Sequence, residues 1–287
     1  MRQAAAALAV VILAAGCGGS KHAAKPPTPQ ELVRGSLLAA ARSDGGRYVL
    51  DVRGSFEGLA GAPLPGSLRL HLAGAVGRDG VTALVSATPK AAVPAHEIRA
   101  APEFAYVRYA RTWYGNPTRG LDGFWPELPR LLVPPERLSG SSVRVPTEDD
   151  LLRLLEGAID GTIAAGPQIG GDSTWELAGT LDPHAIASLL HALVGDLPVT
   201  ALEPIVARSH AVYDVGVDDE LPRRLRIDLH FVRADLPAEV RNQVRDFRSV
   251  SVHADLALSH WGEKPVVERP AHARSFDDYL NTLGLGG

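Results

Sequence analysis

Few residues in this chain have the type and spacing to do chemistry, and most occur where their usual partners are missing. Cys17 is the single thiol, which excludes a disulfide framework and any multi-cysteine metal centre. His96-Glu97 lacks the second histidine of a zinc-protease helix, and there is no G-x-S-x-G elbow, phosphate loop or dinucleotide fingerprint. Asp214, Asp218, Asp219 and Glu220 lack the glycine and terminal glutamate of a calcium loop, so they read as a solvated turn. His184 and His191 lie seven apart on an expected helix, and Glu148, Asp149 and Asp150 suit a helix start. His71, His230 and His253 fall on the polar faces of expected strands, where they face solvent unless strand pairing gathers them into a zinc or pH-sensing site. No nucleophile–base pair is indicated, so the expectation is a protein that is not an enzyme, with no cofactor and no resident metal.

The position of Cys17 is informative. Arg2 precedes an uncharged apolar run from Ala4 to Ala15, followed by small residues. That is the layout of a secretory signal, and the run is shorter than the roughly 20 residues needed to span a bilayer. Leu13-Ala14-Ala15-Gly16-Cys17 resembles the lipobox of bacterial lipoproteins, although Leu13 stands one position further out than is usual. The resemblance implies a signal peptide over 1–16, acylation of Cys17, and a chain held by an N-terminal acyl anchor at the outer face of the cytoplasmic membrane. Residues 17–29 form a Gly-, Ala-, Lys- and Pro-rich tether that stands the domain off the surface. Loss of Arg2 with the signal takes the formal charge from −4 to −5, so neither nucleic acid nor anionic lipid is an electrostatic partner.

The 287 residues suffice for one large domain over 30–287. Thr28 as cap, Pro29 in the first turn and Glu31 behind it predict a helix to about Arg42, closed by Gly45-Gly46. Two-residue alternation predicts strands over 47–56, 67–76, 80–87, 104–113, 173–181, 209–217, 223–233 and 247–260. Further helices are expected from Thr147 through Ile159, from Asp182-Pro183 over 183–194, and over 237–246. Residues 115–146, rich in Pro and Gly, carry Phe124 and Trp125 in a lid-like piece.

Clean alternation means antiparallel sheet with one dry and one wet face. The fold class is therefore α+β, a strongly curved antiparallel sheet with a few helices over its concave side, because a sheet of eight to eleven strands curls. Three short helices leave part of that side uncovered, and the leftover apolar space suits acyl chains. Its expected lining is Leu50, Val52, Leu70, Leu72, Tyr213, Val215, Ile227, Leu229, Phe231, Val252 and Leu256, each of which ordinary core packing would explain equally well. Phe124 and Trp125 are the candidates for its entrance.

The lipobox, the string WELAGTLDPHAIASLL at 175–190 and the ending LALSHWGEKPVVERP at 256–270 together resemble the LppX/LprG-type lipoproteins of actinobacteria, which share the half-barrel of the carrier LolA. The resemblance implies a lipid or lipoglycan carried in a hydrophobic cavity, with a membrane transporter as a further partner. The long Pro-rich 115–146 insertion departs from the family pattern. The alternative is an envelope scaffold with a solid core that docks a protein partner through its surface; an exported hydrolase is a third. Intact-mass analysis of membrane-extracted protein is expected to show a chain beginning at a lipid-bearing Cys17, and Cys17→Ser to release the protein unlipidated into the aqueous fraction.

Overall fold

The computed structural model describes residues 26–58, 66–88, 96–116, 157–185, 203, 206–236, 238, 241 and 248–282. Cys17, Phe124, Trp125, His191 and most of the tether lie outside the described residues.

Helix α1 spans Pro29–Arg42 and starts as its sequence dictates. The Thr28 hydroxyl accepts from the Glu31 amide at 3.3 Å, and the Glu31 carboxylate accepts from the Thr28 amide at 2.8 Å. This reciprocal cap satisfies donors the helix cannot satisfy itself. The helix stops one turn before the expected glycines: Ser43 turns its amide back to the Ala39 and Ala40 carbonyls, and Gly45-Gly46 already open the first strand.

Eleven strands follow: β1 Gly45–Glu57, β2 Ser67–Gly77, β3 Gly80–Thr88, β4 Glu97–Ala101, β5 Phe104–Tyr109, β6 Thr112–Asn116, β7 Ile159–Ala165, β8 Thr174–Leu181, β9 His210–Gly216, β10 Pro222–Val232 and β11 Ser249–Ser259. They form one antiparallel, open and strongly curved sheet in the order β6-β5-β4-β3-β2-β1-β11-β10-β9-β8-β7. Two meanders, β1 to β6 and β7 to β11, join at the sheet centre, where β1 pairs with β11 from Arg47↔Ser259 to Glu57↔Ser249. β6 and β7, consecutive in sequence, are the two edges. The expected fold class is the observed one.

Three local expectations are corrected. The stretch 104–113 is two strands, because a tight turn at Ala110-Arg111, with Ala110 in the left-handed region at φ 54°, folds β6 back on β5. Strand β4 is additional; at five residues its alternation is too short to stand out. Ile159, expected in a helix, opens β7. The helix start at Pro183 is present, with the Asp182 carboxylate accepting from the Ala185 amide at 2.7 Å.

After β11 the chain becomes a strap across one end of the sheet. The Trp261 indole donates to the Pro222 carbonyl at 2.9 Å, and Gly262 donates to Gly45 at 2.8 Å. The Arg99 guanidinium donates to the Glu268 carbonyl at 3.2 Å. At the far side Arg274 exchanges backbone bonds with β6, donating to Trp113 at 2.8 Å and accepting from Gly115 at 2.9 Å. The strap thus covers an edge that would otherwise offer unpaired backbone groups. It ends in helix α2, Phe276–Thr282.

The curl depends on small residues where strands approach closely. A Cβ added at Gly74 would run into the backbone of Thr82 on β3. Gly161 and Gly179 face each other across β7 and β8, and a Cβ on either would meet the opposite backbone. Gly74→Ala is expected to cost about 1–3 kcal/mol through forced backbone displacement, read as a lowered urea midpoint.

Candidate functional site

Strand register fixes which side chains share the concave face. One row runs Val85, Leu72, Leu50, Leu256, Leu225, Tyr213, Leu177, Ile163 from β3 to β7. The next runs Ala87, Leu70, Val52, Ala254, Ile227, Ala211. Beyond these lie Val252 beside Leu229, then Val250 beside Phe231.

Among the described residues, α1 and α2 pack on opposite ends of this face, and Val206 packs on Leu181 and Ala211. Helix α1 packs Leu32, Val33 and Leu37 onto Leu177, Tyr213 and Val215. Ser36 and the Tyr213 phenol share a buried hydrogen bond of 2.7 Å, and burial pushes the Tyr213 pKa up. At the other end α2 lays Tyr279 against Val107 and Tyr114, with Phe276 alongside. The Tyr279 pKa is pushed up to about 12 by burial, with Tyr109 adding to the shift.

Among the sequence-derived candidates, Tyr213 and Val215 are therefore buried under α1. The others, Leu50, Val52, Leu70, Leu72, Ile227, Leu229, Phe231, Val252 and Leu256, fall together on β2, β1, β11 and β10, and every one is only partly buried. At the usual strand spacing these four strands are about 15 Å across, and the six residue steps from Leu50 to Phe56 extend it by about 20 Å. What sequence reasoning missed is the second plug: FDDYL at 276–280 places Phe276 and Tyr279 one turn apart, a short amphipathic signal.

The convex face carries most of the described ion pairs, with Leu84 and Val49 exposed among them. His71 contacts Asp51 at 2.8 Å, His253 contacts Asp228 at 2.6 Å, and His230 contacts the Ser251 hydroxyl at 2.7 Å. Glu97 holds Arg99 and Arg108, each at 2.8 Å, and both guanidiniums stand over Trp113 at 4.8 and 5.6 Å. Among the described residues no three potential ligands are placed to hold a metal ion, and no helix is long and apolar enough to cross a membrane.

Asp214 departs from the expected solvated turn. It sits within β9 and is fully buried, its carboxylate oxygens without a hydrogen-bond partner and Arg226 at 3.7 Å. Asp218, Asp219 and Glu220, by contrast, are exposed in the turn.

No family model and no curated protein matches the chain. Among solved structures, the chain is similar to the Mycobacterium tuberculosis lipoprotein LppX, with 15% identity over 85% of this chain and 100% of that one, at a TM-score of 0.44. It is similar to LprF from Mycobacterium bovis, with 13% identity over 86% and 99%, at a TM-score of 0.40. A third is an outer membrane lipoprotein-sorting protein domain from Vibrio parahaemolyticus, with 8% identity over 90% and 98%, at a TM-score of 0.25.

Burial raises the Asp214 carboxyl above its ordinary 3.8, with Arg226 opposing. Its contribution to stability is therefore complete below about pH 3.8 and lost as pH rises through the folded value. Asp255, hydrogen-bonded by Arg224, is lowered from 3.8, so its contribution is present above that pH and lost as pH falls through the folded value. In thermal melts, Asp214→Asn is expected to gain stability over the parent at pH 7, with the gain shrinking toward pH 4. Asp255→Asn is expected to lose stability at pH 7.

Proposed function

We propose that this chain is an exported, Cys17-anchored envelope lipoprotein that binds the acyl chains of a lipid or lipoglycan non-covalently, for transfer or retention. The observation that carries the reading is the run of half-buried aliphatic residues across the middle four strands, between a helix plug at each end. Each methylene moved from water into such a surface is worth about 0.8 kcal/mol, so half of one chain already supplies several kcal/mol before ordering costs. Among the described residues no polar constellation capable of covalent chemistry stands on that face, and none is needed for binding.

In this reading Leu50, Val52, Leu70, Leu72, Ile227, Leu229, Phe231, Val252 and Leu256 contact the guest. Tyr213 and Val215 form the boundary at α1, and Phe124 and Trp125 stand at the entrance. Residues 17–29 are the lipidated tether, and the domain from 30 onward is the single binding unit.

Native mass spectrometry of the mature chain after mild extraction is expected to show a non-covalent acyl-lipid mass released on collisional activation. Ile227→Glu, which places a charge mid-strip, is expected to lose bound lipid at least tenfold, the cost of an unpaired charge in an apolar site being several kcal/mol. A parent protein recovered only in the apo form would overturn the reading.

A further inference from the structure

The row of side chains along the concave face does not stop at Val85. One step beyond Leu84↔Glu97 and Glu97↔Arg108, the Val85 amide donates to the His96 carbonyl at 2.9 Å and the His96 amide to the Arg108 carbonyl at 2.8 Å. Glu97 and Arg108 face outward, so alternation places His96 and Tyr109 on the concave side. The row therefore changes character along its length. It is aliphatic from Leu225 to Val85, then imidazole and phenol at β4 and β5.

His96 and Tyr109 are paired as they stand. Their rings are parallel to within 5°, with centroids 6.4 Å apart, and Tyr279 of α2 backs Tyr109 edge-on at 6.2 Å. His96 is exposed and Tyr109 half-buried. Side-chain packing joins the pair to the acyl strip. Ile98 and Val81 pack on the cluster around Val85, as Leu70, Leu72 and Leu256 do, and also on the cluster around Tyr279, as Tyr109 does.

What distinguishes this end is unused hydrogen-bonding capacity. Elsewhere on the face Tyr213 shares its bond with Ser36, and Tyr48 donates to the Thr82 carbonyl at 3.0 Å. Among the described residues neither the His96 ring nor the Tyr109 phenol has a hydrogen-bond partner, and the buried Tyr279 phenol has none either. A neutral imidazole keeps one N–H and a phenol keeps its O–H at neutral pH, so His96 and Tyr109 present two donors. Two donors at the end of an uncharged apolar row suit a group that accepts hydrogen bonds and is itself attached to an aliphatic chain.

We infer that His96 and Tyr109 hold the carbonyl end of the bound acyl chain. The guest then lies with its ester or carboxylate oxygen at β4 and β5 and its hydrocarbon across β2, β1, β11 and β10. This rests on the acyl-binding reading above and adds to it a direction and a polar contact. Tyr279 is a positioning residue, whose edge contact keeps the Tyr109 ring beside His96.

The test uses two nitroxide-labelled stearic acids bound to the delipidated mature chain, one labelled near the carboxyl and one near the methyl end. The carboxyl-end label is expected to broaden the NMR signals of His96, Ile98 and Tyr109, and the methyl-end label those of Ile227 and Leu229. Tyr109→Phe, which keeps the ring and removes the donor, and His96→Ala should each weaken stearic acid binding about fivefold, the usual worth of one hydrogen bond. Thermal melts of both variants separate lost contact from lost fold. Methyl stearate is run alongside: a loss shared with the acid assigns the acyl carbonyl, a loss confined to the acid assigns a free carboxylate, and either supports the site. Reversed or even broadening, or full binding by the His96→Ala/Tyr109→Phe double variant, would overturn the orientation and leave acyl binding intact. No binding of either labelled acid by the parent would overturn both.

Discussion

Among the described residues, an eleven-stranded sheet with one apolar face presents more dry surface than α1 and α2, of fourteen and seven residues, can cover. That imbalance shapes the rest of the molecule. Burial of aliphatic side chains is the main favourable term in folding, so an uncovered stripe is a cost unless the sheet bends or a guest arrives. Bending is visible in the glycines where strands converge, and α1 and α2 cover the two ends. α1 reaches as far as Leu225 on β10, and beyond it Leu50, Val52, Ile227 and Leu229 are only partly buried.

The same sheet is held together by a contact between the extremes of the chain. β1 and β11, separated by almost two hundred residues, pair along eleven positions. Closing that distance costs chain entropy before any hydrogen bond forms, so the two meanders gain by forming locally first. The strap then secures the join. Trp261 and Gly262 bind β10 and β1 on either side of β11, and Arg274 carries the chain on to the β6 edge. One continuous segment therefore locks the central seam, covers an edge and delivers the α2 plug.

Long amphipathic strands were legible because period-two alternation runs unbroken through them; β10 and β11 match their expected spans to within a few residues. The α1 cap was equally legible, since Thr28, Pro29 and Glu31 act within four residues. What stayed hidden depends on partners distant in sequence. The β5–β6 turn is built on Ala110-Arg111, without glycine or asparagine to mark it, and alternation alone cannot show a reversal. The aliphatic set was readable as one face, but its division into residues under α1 and residues left half-exposed follows from where each helix docks. Asp214 looked like part of an acidic turn; its burial comes from neighbouring strands that contribute Glu176, Arg224 and Arg226 around it.

The two faces are chemically independent because alternation separates them residue by residue. On β10, Ile227 and Leu229 point to the concave side while Arg226, Asp228 and His230 point the other way. A substitution on one face leaves the other's contacts in place, provided the backbone ladder between them survives. The exposed apolar Leu84 and Val49 extend this asymmetry: both lie on the convex side, linked through Ala73, between the Glu97–Arg108 group and Arg224. One side of the sheet can thus be shaped by what it encloses and the other by what it meets in solvent, with the hydrogen-bonded backbone as the only structure they share.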